Sequence, residues 1–495
     1  MTDQQPPAGA VKRSAGRIIL RNTLVGFGAQ TALRIANFLF QVFVIRILGD
    51  AQFGQYSIVL AWASLFGVLG DLGVSQFYAR EIARDRSFAA RHFWDVVVIR
   101  FLLAILAAVV TTVGAVWYGY EQEIVLAVGL FTATYLLQAL LAPMTAVLTG
   151  NERVDVTSSL EVIGQVVLLT AGGLFLFAGL NFVWLVVASF INIPVVMVLA
   201  FWFIRRSRLS PPPFQVNVGS WWDLLKGGLP FGFIQLSLSF AFRVDTIVLS
   251  RVVSNAEVGW YNAAYNLIFT LNSVVRPFST AVVPTLAREH AANPDNVRPW
   301  YYQGTRMILF IGLPIAVGGL ILSEQIILFL YDFPNLPAYL AFMILIWDVP
   351  LLMYASYCGN LTTVMRLERN AAVVYGTQGI VNLILNLILA TRFGMIGAAF
   401  STVLTDFYST ALFYVLFRYK LGPGLNFNRL VRIGIAAAGM GAVVFVLRDF
   451  NLFITVGIGA VIYLALVWLI RAFSPEEQAR FGRIFSGISA RLRPG

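Results

Sequence analysis

Arg46-Ile47-Leu48-Gly49-Asp50-Ala51-Gln52-Phe53-Gly54-Gln55-Tyr56 is the stretch that decides the fold. It returns 205 residues later as Arg251-Val252-Val253-Ser254-Asn255-Ala256-Glu257-Val258-Gly259-Trp260-Tyr261. Arg, Ala, Gly and Tyr recur in identical register, and most positions between them are similar in kind. In both places an apolar run of membrane-spanning length comes before and another follows. A hairpin corner that occurs twice in this setting describes a membrane protein of two related halves. Gly150-Asn151-Glu152-Arg153 and Arg366-Leu367-Glu368-Arg369 form a second matched pair, and Gly179 and Gly394 a third.

Composition points the same way. The chain has 495 residues, 59% hydrophobic and 12% charged, with mean hydropathy +0.78. Soluble domains carry about 25% charge, so the expected class is an all-α polytopic membrane protein. The net charge of +11 has a bland cause, because cytoplasmic loops of membrane proteins collect Lys and Arg; no nucleic-acid partner is expected. Cys358 stands alone in an apolar run, and His92 and His290 lie far apart in polar loops, so neither a disulfide framework nor a metal site is expected. The basic N-terminus (Lys12, Arg13, Arg17, Arg21) leads into an apolar stretch with no cleavage-site pattern, which reads as an uncleaved first helix.

A transmembrane helix needs about 20 mostly apolar residues. That rule places spans near 22–47, 55–79, 93–118, 124–149, 156–178, 181–204, 226–250, 257–286, 303–322, 337–364, 371–391, 394–417, 430–447 and 452–470. With the N-terminus in the cytoplasm, inner segments hold 26 Lys and Arg, and outer segments hold only Arg46, Arg251, Arg392 and Arg448. The asymmetry puts both termini inside. Equivalent elements are separated by six helices, so the halves point the same way and relate through an axis along the membrane normal. The expected organisation is a basic N-terminus (1–21), a lobe of six helices (22–204), a cytoplasmic linker (205–225), a second lobe of six (226–417), two further helices (430–470) and a cytoplasmic tail (471–495). The tail alternates Arg480, Arg483 and Arg491 with Phe481, Ile484, Phe485 and Ile488, which fits a basic helix on the inner leaflet or a disordered extension. The longest outer loop, 323–337, carries an amphipathic piece (Ile326, Ile327, Phe329, Leu330).

Arg46-Ile47-Leu48-Gly49 with Phe53-Gly54-Gln55-Tyr56-Ser57, followed by Asp71-Leu72-Gly73-Val74-Ser75, resembles the polysaccharide-exporter and O-antigen flippase branch of the multidrug/oligosaccharidyl-lipid/polysaccharide exporter superfamily. The resemblance runs over essentially the whole chain. It implies a flippase that carries an undecaprenyl-pyrophosphate-linked oligosaccharide from the inner to the outer leaflet of the bacterial cytoplasmic membrane, without covalent chemistry. The implied partners are that substrate, membrane lipids, and a glycan polymerase or glycosyltransferases of the same pathway. The last two helices are implied to offer the lipid tail a groove. The lipid II flippase and multidrug extruders are relatives, and either activity remains an alternative. A polytopic glycosyltransferase, ligase or polymerase is a further one, though no outer loop here is long enough for a catalytic domain.

Charges inside spans are the candidate site. A central charge costs about 2.5–3.5 kcal/mol on translocon scales, so each should face a water-filled cavity or a partner. Arg100 and Arg306 lie near helix ends, where they are expected to snorkel. Arg34 and Arg243 lie deeper. By the repeat spacing Arg243 corresponds to Phe38, one turn from Arg34, so the two come from equivalent helices. Arg276 precedes Pro277, which kinks the eighth helix and frees carbonyls. Guanidinium groups suit bidentate phosphate contacts, so Arg34, Arg243 and Arg276 are candidates for the pyrophosphate; internal ion pairing is the other reading. Asp71, Asp245, Asp348 and Asp406 are candidates for ion coupling or for structural pairing, and Glu161 is a further intramembrane acid. Gln378, Asn382 and Asn386 form a polar stripe at i, i+4, i+8 that either contacts sugar, as assigned to Asn382, or joins helices. Gly228, Pro230 and Gly232 open the seventh helix and permit bending or close packing; with Pro277 they are the candidate hinges. Gly54 and Gly259 are expected to let the chain turn sharply between spans, while Arg46 and Arg251 cap or snorkel at the outer surface.

Overall fold

The computed structural model describes residues 8–207, 209, 213–331, 337–424 and 427–472, with side chains from residue 33 onward except 154, 273–281 and 284. Among these residues the structure is helical throughout and contains no strand. The fifteen α-helices are α1 (Ala8–Gly67), α2 (Val74–Arg84), α3 (Ser87–Tyr118), α4 (Gln122–Gly150), α5 (Val154–Phe177), α6 (Phe182–Arg206), α7 (Trp221–Val252) and α8 (Asn255–Ala292). They continue as α9 (Val297–Ile321), α10 (Ser323–Tyr331), α11 (Ala338–Leu345), α12 (Asp348–Val364), α13 (Glu368–Leu421), α14 (Phe427–Val446) and α15 (Leu452–Leu469). Ten helices are long and apolar enough to cross a membrane, or up to eleven if the bent pair α11–α12 counts as one span. This is fewer than the fourteen expected. Part of the difference lies in α1 and α13, each a continuous run broken by one glycine in a non-helical conformation: Gly49 (φ 75°) and Gly394 (φ 57°). Both breaks fall at sequence-predicted corners, where glycine tolerates a positive φ that other residues resist. Gly179, matched to Gly394 in the repeat, has φ 73°.

The chain forms two compact units, 1–262 and 263–495. In the first unit the second expected span, 55–79, is not continuous. Helix α1 ends at Gly67, a 3-10 turn follows, Leu72 and Gly73 take left-handed φ of 46° and 77°, and α2 starts at Val74. Hydropathy carries through this break because Val68, Leu69 and Leu72 outweigh the single charge of Asp71. The seventh helix closes over it. A Cβ on Gly228 would meet Val74 N at 2.9 Å, one on Gly232 would meet Leu72 O at 2.6 Å, and one on Gly73 would meet Gly228 O at 2.3 Å. Gly228 and Gly232 thus pack closely against the break, and α7 runs unbroken through Pro230.

The repeated corners correct another expectation. Gly54 and Gly259 are not the turning points; Gly49 makes the first turn, and the chain breaks at 253–254 in the second. Gly54 and Gly259 are helical residues where two backbones cross. A Cβ on Gly54 would lie 1.7 Å from the Asn255 carbonyl oxygen, and one on Gly259 would lie 2.2 Å from that of Asp50. Trp260 Nε1 donates to Asp50 Oδ2 at 3.1 Å across the crossing. Arg251 stacks over Tyr118, 5.7 Å from the ring centroid.

In the second unit α14 and α15 pack on α9 through Leu322, Ile433, Ala437, Met440 and Tyr463, and the Tyr463 hydroxyl donates to the Phe310 carbonyl. Helix α12 lies against α9, where Tyr301 and Tyr354 share a 2.8 Å hydroxyl contact. The amphipathic piece of the 323–337 loop is helix α10, with Ile327 and Tyr331 buried and Leu328 and Phe329 exposed. The basic tail beyond 472 lies outside the described residues.

Candidate functional site: a polar cavity among four helices

Helices α4, α5 and α6 are stitched together by Leu141, Leu148, Val156, Leu160, Ile193, Val196, Ala200 and Ile204, spaced so that each helix offers one apolar face. Beside this seam, and closed by α1, is a cavity of about 710 Å³. Arg34 and Asn37 of α1, Gln138 of α4, Glu161 and Gln165 of α5, and Asn192 of α6 line it, with Thr145, Thr149, Thr157 and Ser158 completing the polar wall. Gln165 Nε2 donates to Asn37 Oδ1, joining α5 to α1. Gly164 brings α5 close to α6, since a Cβ there would meet Asn192 Oδ1 at 2.8 Å. Prolines interrupt both α4 (Pro143) and α6 (Pro194) within the lining stretch, each removing one backbone donor.

The other sequence-predicted residues lie elsewhere. Arg243 does not line this cavity; its charge lies within electrostatic reach of Tyr56, the tyrosine of the first corner. Its neighbour Asp245 is buried and accepts a 2.8 Å bond from Tyr261, the tyrosine of the second corner. The side chains of Arg276 and Pro277 lie outside the described residues. Asp71 accepts from Ser75 N and Ser75 Oγ, bracing the start of α2, and forms a 3.0 Å ion pair with Arg100. The expectation that Arg100 snorkels is thus corrected: only 8% of its side chain is exposed, and Asp71 supplies the compensating charge. Removing one member of a buried pair costs about 3–5 kcal/mol; with Asp71 27% exposed, Arg100→Met should cost about 3 kcal/mol, read as a fall in Tm in detergent. A double variant with Asp71→Asn should recover part of the loss. An unchanged Tm for Arg100→Met would refute the pairing as a stabilising contact.

In the second unit, α11 and α12 meet at a 42° bend. Asp348 opens α12 just ahead of Pro350, whose ring restricts the residues before it. Asp348 is fully buried, with its carboxyl group beside that of Asp406 of α13. Gln378 Nε2 also donates to Asp406, while Asn382 and Asn386 are buried on the same face as Gln378. The stripe therefore joins the first part of α13 to the part beyond Gly394: Gln378 reaches Asp406, and Ser401 Oγ reaches the Asn382 carbonyl.

Sequence reading missed Asp95. It is fully buried in α3 and accepts from Asn217 N at 2.6 Å and Ser220 Oγ at 3.0 Å, with a His92 ring nitrogen 3.0 Å away. It ties the segment before α7 onto α3. An acid two residues inside a predicted span was the available signal.

Long apolar helices around a pocket lined by hydrogen-bonding side chains define a polytopic membrane protein. Residues 19–290, more than half of the chain, match the family described as polysaccharide biosynthesis protein, and the chain belongs to that family. Residues 230–391 also match the MatE family. A probable low-salt glycan biosynthesis flippase, Agl15 of Haloferax volcanii, is 22% identical over 409 residues, covering 81% of this chain and 82% of that protein. A probable lipid II flippase, MurJ of Haemophilus influenzae, is 26% identical over 231 residues, covering 41% and 42%. Among solved structures, lipid II flippase MurJ in an inward closed conformation superposes with TM-score 0.70 at 16% identity, over 90% of this chain and 99% of that one. An inward-facing multidrug resistance transporter of the MATE family gives TM-score 0.60 at 15% identity, over 79% and 94%. These two structures share the fold. The resemblance carried by the Arg46–Ser57 and Asp71–Ser75 motifs is borne out.

Proposed function

We propose that the chain flips an undecaprenyl-pyrophosphate-linked oligosaccharide from the cytoplasmic to the outer leaflet of the bacterial cytoplasmic membrane, by alternating access. The observation that carries this reading is the polar cavity holding Arg34 within otherwise apolar helices, in a member of the polysaccharide biosynthesis family. Desolvating a polar headgroup in hydrocarbon is prohibitive, and a lining of amides, hydroxyls and one guanidinium replaces its water. The tail stays in lipid, so the chain needs only to shelter the head. Arg34 is the group for the phosphate end, by charge-assisted contacts, with Arg243 and Arg276 as its counterparts on α7 and α8. The Asp348–Asp406 pair is the place where a proton couples, since two neighbouring buried carboxyl groups resist carrying two charges at once.

The same reading takes the span count to fourteen, with α1 and α13 as two spans each and with α8 and the α11–α12 pair added to the ten. Helices 1–6 and 7–12 are then the two lobes that rock, and the excess of inner Lys and Arg puts both termini in the cytoplasm. The MatE match over 230–391 favours multidrug export as the second reading.

The test is flipping of lipid-linked oligosaccharide in proteoliposomes, scored by access of a membrane-impermeant glycosidase. Arg34→Ala should reduce the rate at least tenfold, as loss of a charged hydrogen bond of about 1.5–3 kcal/mol implies, with Tm unchanged. Undiminished flipping by Arg34→Ala would remove the cavity from the pathway. Export of cationic drugs by the parent chain without glycan flipping would favour the second reading.

A further inference from the structure

The cavity among α1, α4, α5 and α6 is polar without being cationic. Among the described residues its wall contains one cation, Arg34, and one anion, Glu161, so their formal charges cancel. Sites for diphosphates concentrate positive charge or converging backbone N–H groups, and this wall has a single guanidinium. What it has in abundance is amides: Asn37, Gln138, Gln165 and Asn192, one or two from each of the four helices. An amide offers donors and acceptors together, which matches a sugar hydroxyl that must both give and receive. None of the sixteen lining residues is aromatic, in a chain that is 14% aromatic. The wall therefore lacks the rings that would stack on a planar drug or hold its cation. The volume of about 710 Å³ is within the ~300–1,000 Å³ of small-molecule sites.

One wall atom is left without a partner. Asn192 Oδ1 is buried and makes no hydrogen bond among the described residues. Gly164 packs against it, so that a Cβ there would lie 2.8 Å from that oxygen. Buried polar atoms are nearly always satisfied, so this orphan is one that a donor in the cavity would satisfy once the amide turns to face it.

We propose that this cavity receives the saccharide and not the diphosphate, and that Asn192 and Gln138 recognise its hydroxyls. The assignment rests on the flippase reading above and divides the labour within it: Arg34 sits where sugar and phosphate meet, and the amides read the sugar. Glycan selectivity then resides in α4, α5 and α6.

The experiment compares two probes on the purified full-length chain in nanodiscs. One is undecaprenyl diphosphate, and the other is the undecaprenyl-diphosphate-linked oligosaccharide pool extracted from a strain lacking this protein. The parent chain should bind the sugar-bearing pool about tenfold or more tightly than the bare lipid, as a site built to hydrogen-bond a ligand discriminates against one lacking the hydroxyls. Asn192→Leu should bring that ratio towards one while leaving affinity for the bare lipid unchanged. Gln138→Met is the second variant, should Asn192→Leu fold poorly, and is expected to do the same. A ratio unmoved in both variants, or equal losses for both probes, overturns the saccharide assignment and leaves the flippase reading standing. Failure of the parent chain to bind either lipid overturns both.

Discussion

A Gly54→Val variant is expected to lose most of the folded protein that the parent chain yields, and Gly259→Val to do the same. At each position a Cβ would meet main chain and not a movable side chain: the Asn255 carbonyl oxygen at 1.7 Å from residue 54, and that of Asp50 at 2.2 Å from residue 259. No rotamer change relieves such a clash, so the helices must separate. Over-packing a core that can adjust costs about 1–3 kcal/mol. A crossing of two backbones should exceed that, against a total stability of only about 5–15 kcal/mol. The measurement is monodispersity and Tm in detergent. Gly173→Ala is the control: a Cβ there meets nothing within 4 Å, and alanine in a helix is about 1 kcal/mol better than glycine. The milder double variant Gly54→Ala with Gly259→Ala should lose less than the two single losses added, because one separation accommodates both methyl groups. A Gly54→Val protein with the parent Tm would show that the two backbones do not touch.

Replacing Asp406 separates folding from coupling. With Asp406→Leu, Asp348 stays fully buried and loses the neighbouring carboxyl group, and Gln378 loses its acceptor. A buried polar group stripped of its partner costs about 1–3 kcal/mol, and two are stripped here. Asp406→Asn keeps a donor and an acceptor at the same place while removing the exchangeable proton. Its Tm should stay near that of the parent, whereas the response of flipping to an imposed pH gradient should vanish. If Asp406→Asn flips lipid-linked glycan with the parent's dependence on the gradient, the pair is structural and the coupling group lies elsewhere. The Leu variant then still reports the cost of the broken pair, so the outcomes for fold and for coupling are read independently.

The parts of the molecule that follow from local sequence were legible. Glycines at 179 and 394 mark corners because a positive φ is a property of the residue itself, and both adopt one, whereas the first corner turns at Gly49 and not at the expected Gly54. The stripe of Gln378, Asn382 and Asn386 was visible because helical spacing puts i, i+4 and i+8 on one face. What stayed hidden depends on residues distant in sequence. Nothing near Arg100 announces Asp71 as its partner, and nothing near Gly54 announces Asn255. The α1–α2 break was invisible to hydropathy because Leu72 and Gly73 are apolar enough to continue a span. The cavity was the least legible feature, since its wall is assembled from single polar residues on four helices, each unremarkable alone. Arg34 was singled out by its charge, but its setting among amides required the packing.

The crossing of the corners has a consequence for the chain as a duplicated object. Residue 54 touches residue 255, and residue 259 touches residue 50; adding 205 to 54 and subtracting it from 255 turns the first pair into the second. This is the reciprocity of an isologous contact, the kind that joins two identical subunits about a two-fold axis, here closed within one polypeptide. Each glycine serves as the socket for the other copy's backbone. A side chain gained at either one is felt by both corners at once, so the two positions form a single constraint.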